Sequence, residues 1–275
     1  MDGFQAALIR TGGVALLLLA AIVVPPLAIG TVLQLVTGRL RRRAVEVFGA
    51  GFCVWVTAPG VMLHEFSHAL FCLIFRHRIT DFTPFAPQMN GNLGWVEHKW
   101  DPHSIWQNIG CFFIGVAPLG FGVAALVFLT LLLLPHEALP FPALPADGLD
   151  GFRLQFRATF GALWKMWITP GFLSRYQTWL WIYGVIAVGS QITLSRADLA
   201  GAMSGILVLS LLLIAGALLA ALLLPAGAGL PPGAVRVSAA VCGLLFYLLL
   251  FFGALTLLFE LSLCGNSSGR SPLAP

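Results

Sequence analysis

The chain predicts an all-α, polytopic membrane protein of about six transmembrane helices, with one small β-hairpin inserted after the second. Three observations carry that prediction. Hydrophobic residues fill 59% of the 275 positions and charged residues only 9%, a balance foreign to soluble domains of this size. The apolar residues gather into six segments rather than short amphipathic stripes. Between the second and third segments, Asn90-Gly91 separates two extended runs. Asn-Gly is the strongest short hairpin signal, because both residues tolerate positive φ.

The first segment covers roughly 14–36 and carries Pro25-Pro26, which implies a kink or break. A basic cluster follows at Arg39, Arg41, Arg42 and Arg43. The second segment, roughly 47–75, is bent by Pro59-Gly60. The hairpin is expected over 79–100 and the third segment over 109–134. The stretch 135–175 is proline-rich and then amphipathic, with Phe152-Arg153-Leu154-Gln155-Phe156-Arg157, and reads as an interfacial loop. The fourth segment, 179–188, is short enough to be a half-helix or a deeply buried one. The fifth covers 199–224 and the sixth 237–263, joined by a Pro/Gly turn at Pro225–Gly233. No internal repeat is visible, and residues 1–275 read as a single domain with its core over 45–224.

The net charge of +4 suits arginines on the cytoplasmic side of a bilayer. No basic stripe, RNA-binding motif or phosphate-binding glycine loop points to nucleic acid. Placing Arg39–Arg43, the basic residues of 153–175 and Arg236 inside leaves nine Lys/Arg inside and six outside, a small bias. The five cysteines are scattered, form no CxxC pair, and read as small buried hydrophobes. The first segment is too long for the h-region of a cleavable signal peptide.

The chemistry sits in the second segment, at His64-Glu65-Phe66-Ser67-His68. On a helix, residues four apart share a face, so both imidazoles can reach one metal ion. Glu65 beside them can take a proton from water that the metal activates. With six histidines and five glutamates in the chain, chance produces this pattern in about two such sequences per thousand. Each ionised group placed in lipid costs about 2.5–3.5 kcal/mol, and a metal site compensates that cost.

A hydrolytic zinc site needs a third protein ligand and an open position. Three carboxylates compete. Asp198 opens the fifth segment, and Ser195-x-x-Asp198 also has capping-box spacing. Asp150 lies in a loop at Leu149-Asp150-Gly151. Glu97-x-x-x-Asp101 has the spacing of another zincin class, but Pro102 and the alternating pattern favour a strand there. A third histidine six residues after His68 is excluded, because position 74 is Ile. Ser67, Thr57, Ser190 and Gln191 are candidates to line a water path, and His98 to stand near the metal.

In this order of parts, over roughly 61–201, the chain resembles the site-2 protease family of intramembrane zinc metalloproteases. The matching parts are the HExxH helix, the extended segment, Gly115-Val116-Ala117-Pro118-Leu119-Gly120-Phe121, and Ala197-Asp198-Leu199-Ala200-Gly201. Ala117-Pro118 stands for the family's Gly-Pro and Phe121 for its Asn. The resemblance implies Zn²⁺ held by His64, His68 and Asp198, and Glu65 as catalytic base. It implies a transmembrane or membrane-associated protein substrate, contacted through Asn90, Gly91, His98 and Pro118. It also implies a multi-pass protein of a bacterial cytoplasmic (inner) membrane. Rival readings are a zinc-binding scaffold that sequesters helices without cutting them, and a metal transporter.

Overall fold

The computed structural model describes residues 24–89, 91–134, 148–223 and 232–267. It is mostly helical, with one two-stranded antiparallel hairpin. The helices are α1 (Val24–Phe48), α2 (Ala50–Ile74), α3 (Ile105–Leu133), α4 (Gly148–Trp167), α5 (Tyr176–Gly189), α6 (Arg196–Leu223) and α7 (Pro232–Ser267). The strands β1 (Arg78–Thr83) and β2 (Trp95–Lys99) lie between α2 and α3. Among the described residues, two helices are long and apolar enough to cross a membrane, Ile105–Leu133 and Arg236–Leu261.

Several boundaries differ from the sequence reading, each for a physical reason. The basic cluster does not end α1, which runs on to Phe48. Arg39 and Arg43 reach Glu260 of α7 at 3.2 and 3.4 Å, and Arg43 also reaches Glu46 at 2.9 Å. The break comes instead at Gly49, whose φ of 83° lies in the left-handed region. Pro59 lies inside α2, which runs unbroken from Ala50 to Ile74. Residues 148–167, expected within an interfacial loop, form α4, whose Leu163 and Met166 are buried. That helix lies along α7, where Gly243 leaves room for Thr159. Residues 14–23, 135–147 and 224–231 of the sequence reading lie outside the described residues.

The hairpin pairs Arg78 with Lys99, Ile79 with His98, and Asp81 through Thr83 with Glu97 through Trp95. A bulge between Ile79 and Asp81 absorbs one residue. Further out, the backbone amides of Ala86 and Gln88 donate to the carbonyls of Leu93 and Asn92. The Gly91 amide donates to the Gln88 carbonyl, so the turn closes over 88–91 with Gly91, at φ 91°, in its last position. The strands lie on α2, through Phe82 against Phe66 and Phe85 against Trp55.

α3 lies against α2, α5 and α6, while α7 lies against α1 and α4. Two close approaches between helices set the geometry of the interior. At Gly60 of α2, a Cβ would strike the carbonyl oxygen of Ala187 near the end of α5. At Gly115 of α3, it would strike the carbonyl oxygen of Asp198 and come within 2.8 Å of Ala202 in α6. Gly205 continues this second seam, where a Cβ would come to 2.5 Å from the Asn108 carbonyl oxygen. Gly60 is one turn before His64, and Gly115 faces Asp198.

α5 has 14 residues, about 21 Å at 1.5 Å per residue. It stops beside Gly60, and the chain crosses the interior through Ile192 and Leu194, both fully buried, before α6 begins. The short fourth segment is thus α5, and the buried stretch 190–195 after it carries the chain to Asp198.

The seams make a test. Gly60→Val pushes on backbone that cannot swing away, so unfolding in detergent should show a loss of about 1–3 kcal/mol. Gly120 has open space where a Cβ would stand, so Gly120→Ala should gain up to about 1 kcal/mol. Equal, small effects from both would mean the α2–α5 approach is not tight.

Candidate metal centre

His64 and His68 leave the same face of α2, one turn apart, and their Nε2 atoms lie 3.2 Å from each other. Each ring is oriented from behind by a backbone carbonyl on another element. His64 Nδ1–H donates to the Gln191 carbonyl at 3.0 Å, and His68 Nδ1–H donates to the Ile114 carbonyl at 2.8 Å. A carbonyl only accepts, so Nδ1 carries the hydrogen in both rings. In the neutral rings both Nε2 atoms therefore present bare lone pairs.

Asp198 completes the group. Its Oδ1 lies 3.2 Å from His68 Nε2 and its Oδ2 lies 3.6 Å from His64 Nε2. The carboxylate is held by the start of α6. The Ser195 amide donates to Asp198 Oδ2 at 2.7 Å, and the Asp198 amide donates to Ser195 Oγ at 3.0 Å. This reciprocal capping box leaves Oδ1 pointing at the histidines. The two roles read from Ser195-x-x-Asp198, cap and ligand, are filled by one side chain.

Three acceptor atoms within 4.8 Å of one another, in an interior where His68 is only 7% exposed, repel unless a proton or a metal ion lies among them. His64, His68 and Asp198 can hold a metal ion, with Nδ1–H···O=C bonds of the kind that orient metal-binding imidazoles.

The group opens into a cleft of 390 Å³, room for on the order of ten waters at about 30 Å³ each. Glu65 lines the same cleft, with Gly94 packed over it. A Cβ on Gly94 would come to 2.8 Å from Glu65 Cγ. Trp95, Val96 and His98 of β2 form the opposite wall. Burial, with the His77 and His68 rings beside it, pushes His98 down to about 4, so it stays neutral at neutral pH.

The other residues singled out from the sequence fall elsewhere. Asp150 is in the first turn of α4, highly exposed and paired with Arg153 at 3.3 Å. Glu97 is exposed on β2, opposite Asp81. Gly91 is exposed at the hairpin turn, Pro118 is buried inside α3, and Asn90 lies outside the described residues. Ser67 is fully buried and donates to the His64 carbonyl at 2.6 Å. Thr57, Ser190 and Gln191 line a separate, largely apolar cleft of 680 Å³ between α1, α2, α5 and α7.

Sequence reasoning missed the Gln191 and Ile114 carbonyls, because a backbone acceptor leaves no mark on residue type. It also missed Gly94, which the hairpin pattern shows only as a loop residue. Comparison with family models, with curated proteins and with solved structures finds no match for this chain.

Metal content checks the third ligand. Asp198→Ala should lose most of the metal bound between the two histidines, about a 10–100-fold weaker affinity or more. Asp150→Ala should keep it. Full occupancy in Asp198→Ala, measured by elemental analysis of purified protein, would remove Asp198 from the site.

Proposed function

We propose that this chain is a zinc-dependent endopeptidase that works within a lipid bilayer on membrane-embedded protein substrates, as its resemblance to site-2 proteases implies. The carrying observation is the pair of bare Nε2 atoms beside Asp198 with Glu65 in the same cleft. Zinc fits the spacing. Tetrahedral bonds of about 2.0–2.1 Å separate two imidazole nitrogens by about 3.3 Å, close to the observed 3.2 Å. Two imidazoles and one carboxylate leave a fourth position free, the pattern of hydrolytic rather than structural zinc.

The membrane reading takes α1, α2, α3, α5, α6 and α7 as six spans, with α4 packed along the bundle. The low charge of the chain and the long, apolar α3 and α7 support it. The exposed Leu131, Leu132, Leu257 and Leu258 on those two helices suit lipid contact.

When bound, zinc supplies an activated water and a Lewis acid for the scissile carbonyl. Glu65 takes the proton of the attacking water and returns it to the leaving amine. His64, His68 and Asp198 hold the metal still, and the two backbone carbonyls and the capping box hold the ligands. A transmembrane helix must unwind before it is cut, since its carbonyls are already bonded and sterically covered. β2 lines the cleft beside the metal ligands, so a substrate segment held extended against it would lie across the reacting centre.

Glu65→Gln keeps size and polarity and removes the base. It should retain zinc and lose about 10²–10⁴-fold in cleavage of a model single-pass substrate, and a zinc chelator should stop the wild type. Undiminished cutting by Glu65→Gln would rule out the proposed base. A zinc-loaded wild type that binds such substrates but never cuts them would instead favour the helix-sequestering scaffold.

A further inference from the structure

Beyond this centre, we infer that Cys72, His77 and His98 form a second metal site, for a d¹⁰ cation that favours thiolate and imidazole, Zn²⁺ or Cu⁺. The three residues are dispersed in sequence, and three separate features of the fold bring their Sγ and ring nitrogens within 4.8 Å of one another.

The first feature is the end of α2. The His77 amide donates to the Cys72 carbonyl at 2.8 Å and the Arg76 amide to the Leu73 carbonyl at 3.1 Å. Arg76 has a φ of 59°, left-handed for a residue with a Cβ. This reversal folds the chain back so that His77 returns over Cys72. The second feature is the hairpin register, which sets His98 opposite Ile79, two residues after His77. The third is α3, whose Gln107 carbonyl accepts from His77 Nε2–H at 2.8 Å.

That last bond decides the chemistry. A carbonyl cannot donate, so the hydrogen of neutral His77 is on Nε2 and its Nδ1 is bare. This bare Nδ1 faces His98 Nδ1 at 3.0 Å. Cys72 is fully buried and His77 is 4% exposed, so water does not readily satisfy them. Trp100 stacks over His77, its ring centroid 6.0 Å away, and a Cβ on Gly110 would come to 2.9 Å from His77 Nε2. A thiolate and two neutral imidazoles match soft and borderline cations and disfavour magnesium or calcium.

Cys72 lies four residues beyond His68 and eight beyond His64, on the same seam of α2. His98 also lines the cleft of the first centre. A cation bound here would join the end of α2 to the strand that walls the first centre. The assignment does not depend on proteolysis, nor on the first centre being filled.

Cobalt(II) reads the site without activity, because only a thiolate site gives a sulfur-to-cobalt charge-transfer band in the near ultraviolet. The full-length protein in detergent should take up two equivalents of cobalt and show that band. Cys72→Ser should abolish the band and one equivalent. The His64→Ala/His68→Ala double variant should lose the other equivalent and keep the band. Wild-type protein with no thiolate band overturns the proposal without need of any variant. So does a band that survives in Cys72→Ser. That outcome would leave His77 and His98 as a hydrogen-bonded pair beside a thiol. Separate titrations with Zn²⁺ and with Cu⁺ then show which cation the site prefers.

Discussion

Two hydrogen bonds between elements hold the candidate metal centre in register: His64 Nδ1–H to the Gln191 carbonyl and His68 Nδ1–H to the Ile114 carbonyl. Each fixes a tautomer, and each does so from a different neighbour of α2. Two histidines on a lone helix would share a face but rotate freely about χ2. Here the segment after α5 and the middle of α3 clamp one ring each, so both Nε2 lone pairs converge. The Nδ1–H donors also leave the two Nε2 atoms free to hold a cation, since they use up the only hydrogen that either neutral ring has.

The helix packing follows from that requirement. A carbonyl that is already bonded within its helix is poorly placed to accept a side chain from elsewhere. Gln191 escapes this because α5 ends at Gly189. The Ile114 carbonyl lies inside α3, four residues before Pro118. Proline has no N–H to donate back to it, so the carbonyl is left to His68. Pro118 therefore does its work through the carbonyl it frees, although the proline itself is buried away from the cleft. The close approaches at Gly60 and Gly115 bring these carbonyls and Asp198 near enough to be used.

What the sequence displays and what it hides divide along the same physical line. The HExxH spacing and the Ser195-x-x-Asp198 cap are local patterns, so α2's ligands and the orientation of Asp198 were legible before any fold. The residues alone left Asp198 and Asp150 both open, because which helix start meets α2 is a question of tertiary packing; the resemblance preferred Asp198. The hairpin was legible from alternation and Asn90-Gly91, yet its turn closes one residue earlier than the dipeptide suggests. α1's extension through Arg39 and Arg43 was not legible, because its partner Glu260 lies 221 and 217 residues away. Cys72 and His77 carried no motif spacing, and the reversal that joins them rests on an arginine in a left-handed conformation that residue type does not announce.

The distribution of polar groups also bears on the choice between the proposed hydrolase and a transporter. A permeation path needs polar groups spaced from one side of the bilayer to the other and open to a moving ion. In this fold several of the buried polar side chains between helices are engaged with each other. Trp181 Nε1–H donates to Thr130 Oγ1 at 2.9 Å, and Trp167 Nε1–H donates to the Tyr247 hydroxyl at 2.8 Å. Glu260, the acidic residue late in α7, is engaged by Arg39 and Arg43. By contrast, the lone pairs of His64, His68 and Asp198 converge on one another, and Glu65 lies in the same cleft under the hairpin. Gathering these acceptors at one point, rather than spacing them along a path, suits the resident ion of the proposed hydrolase better than an ion in transit.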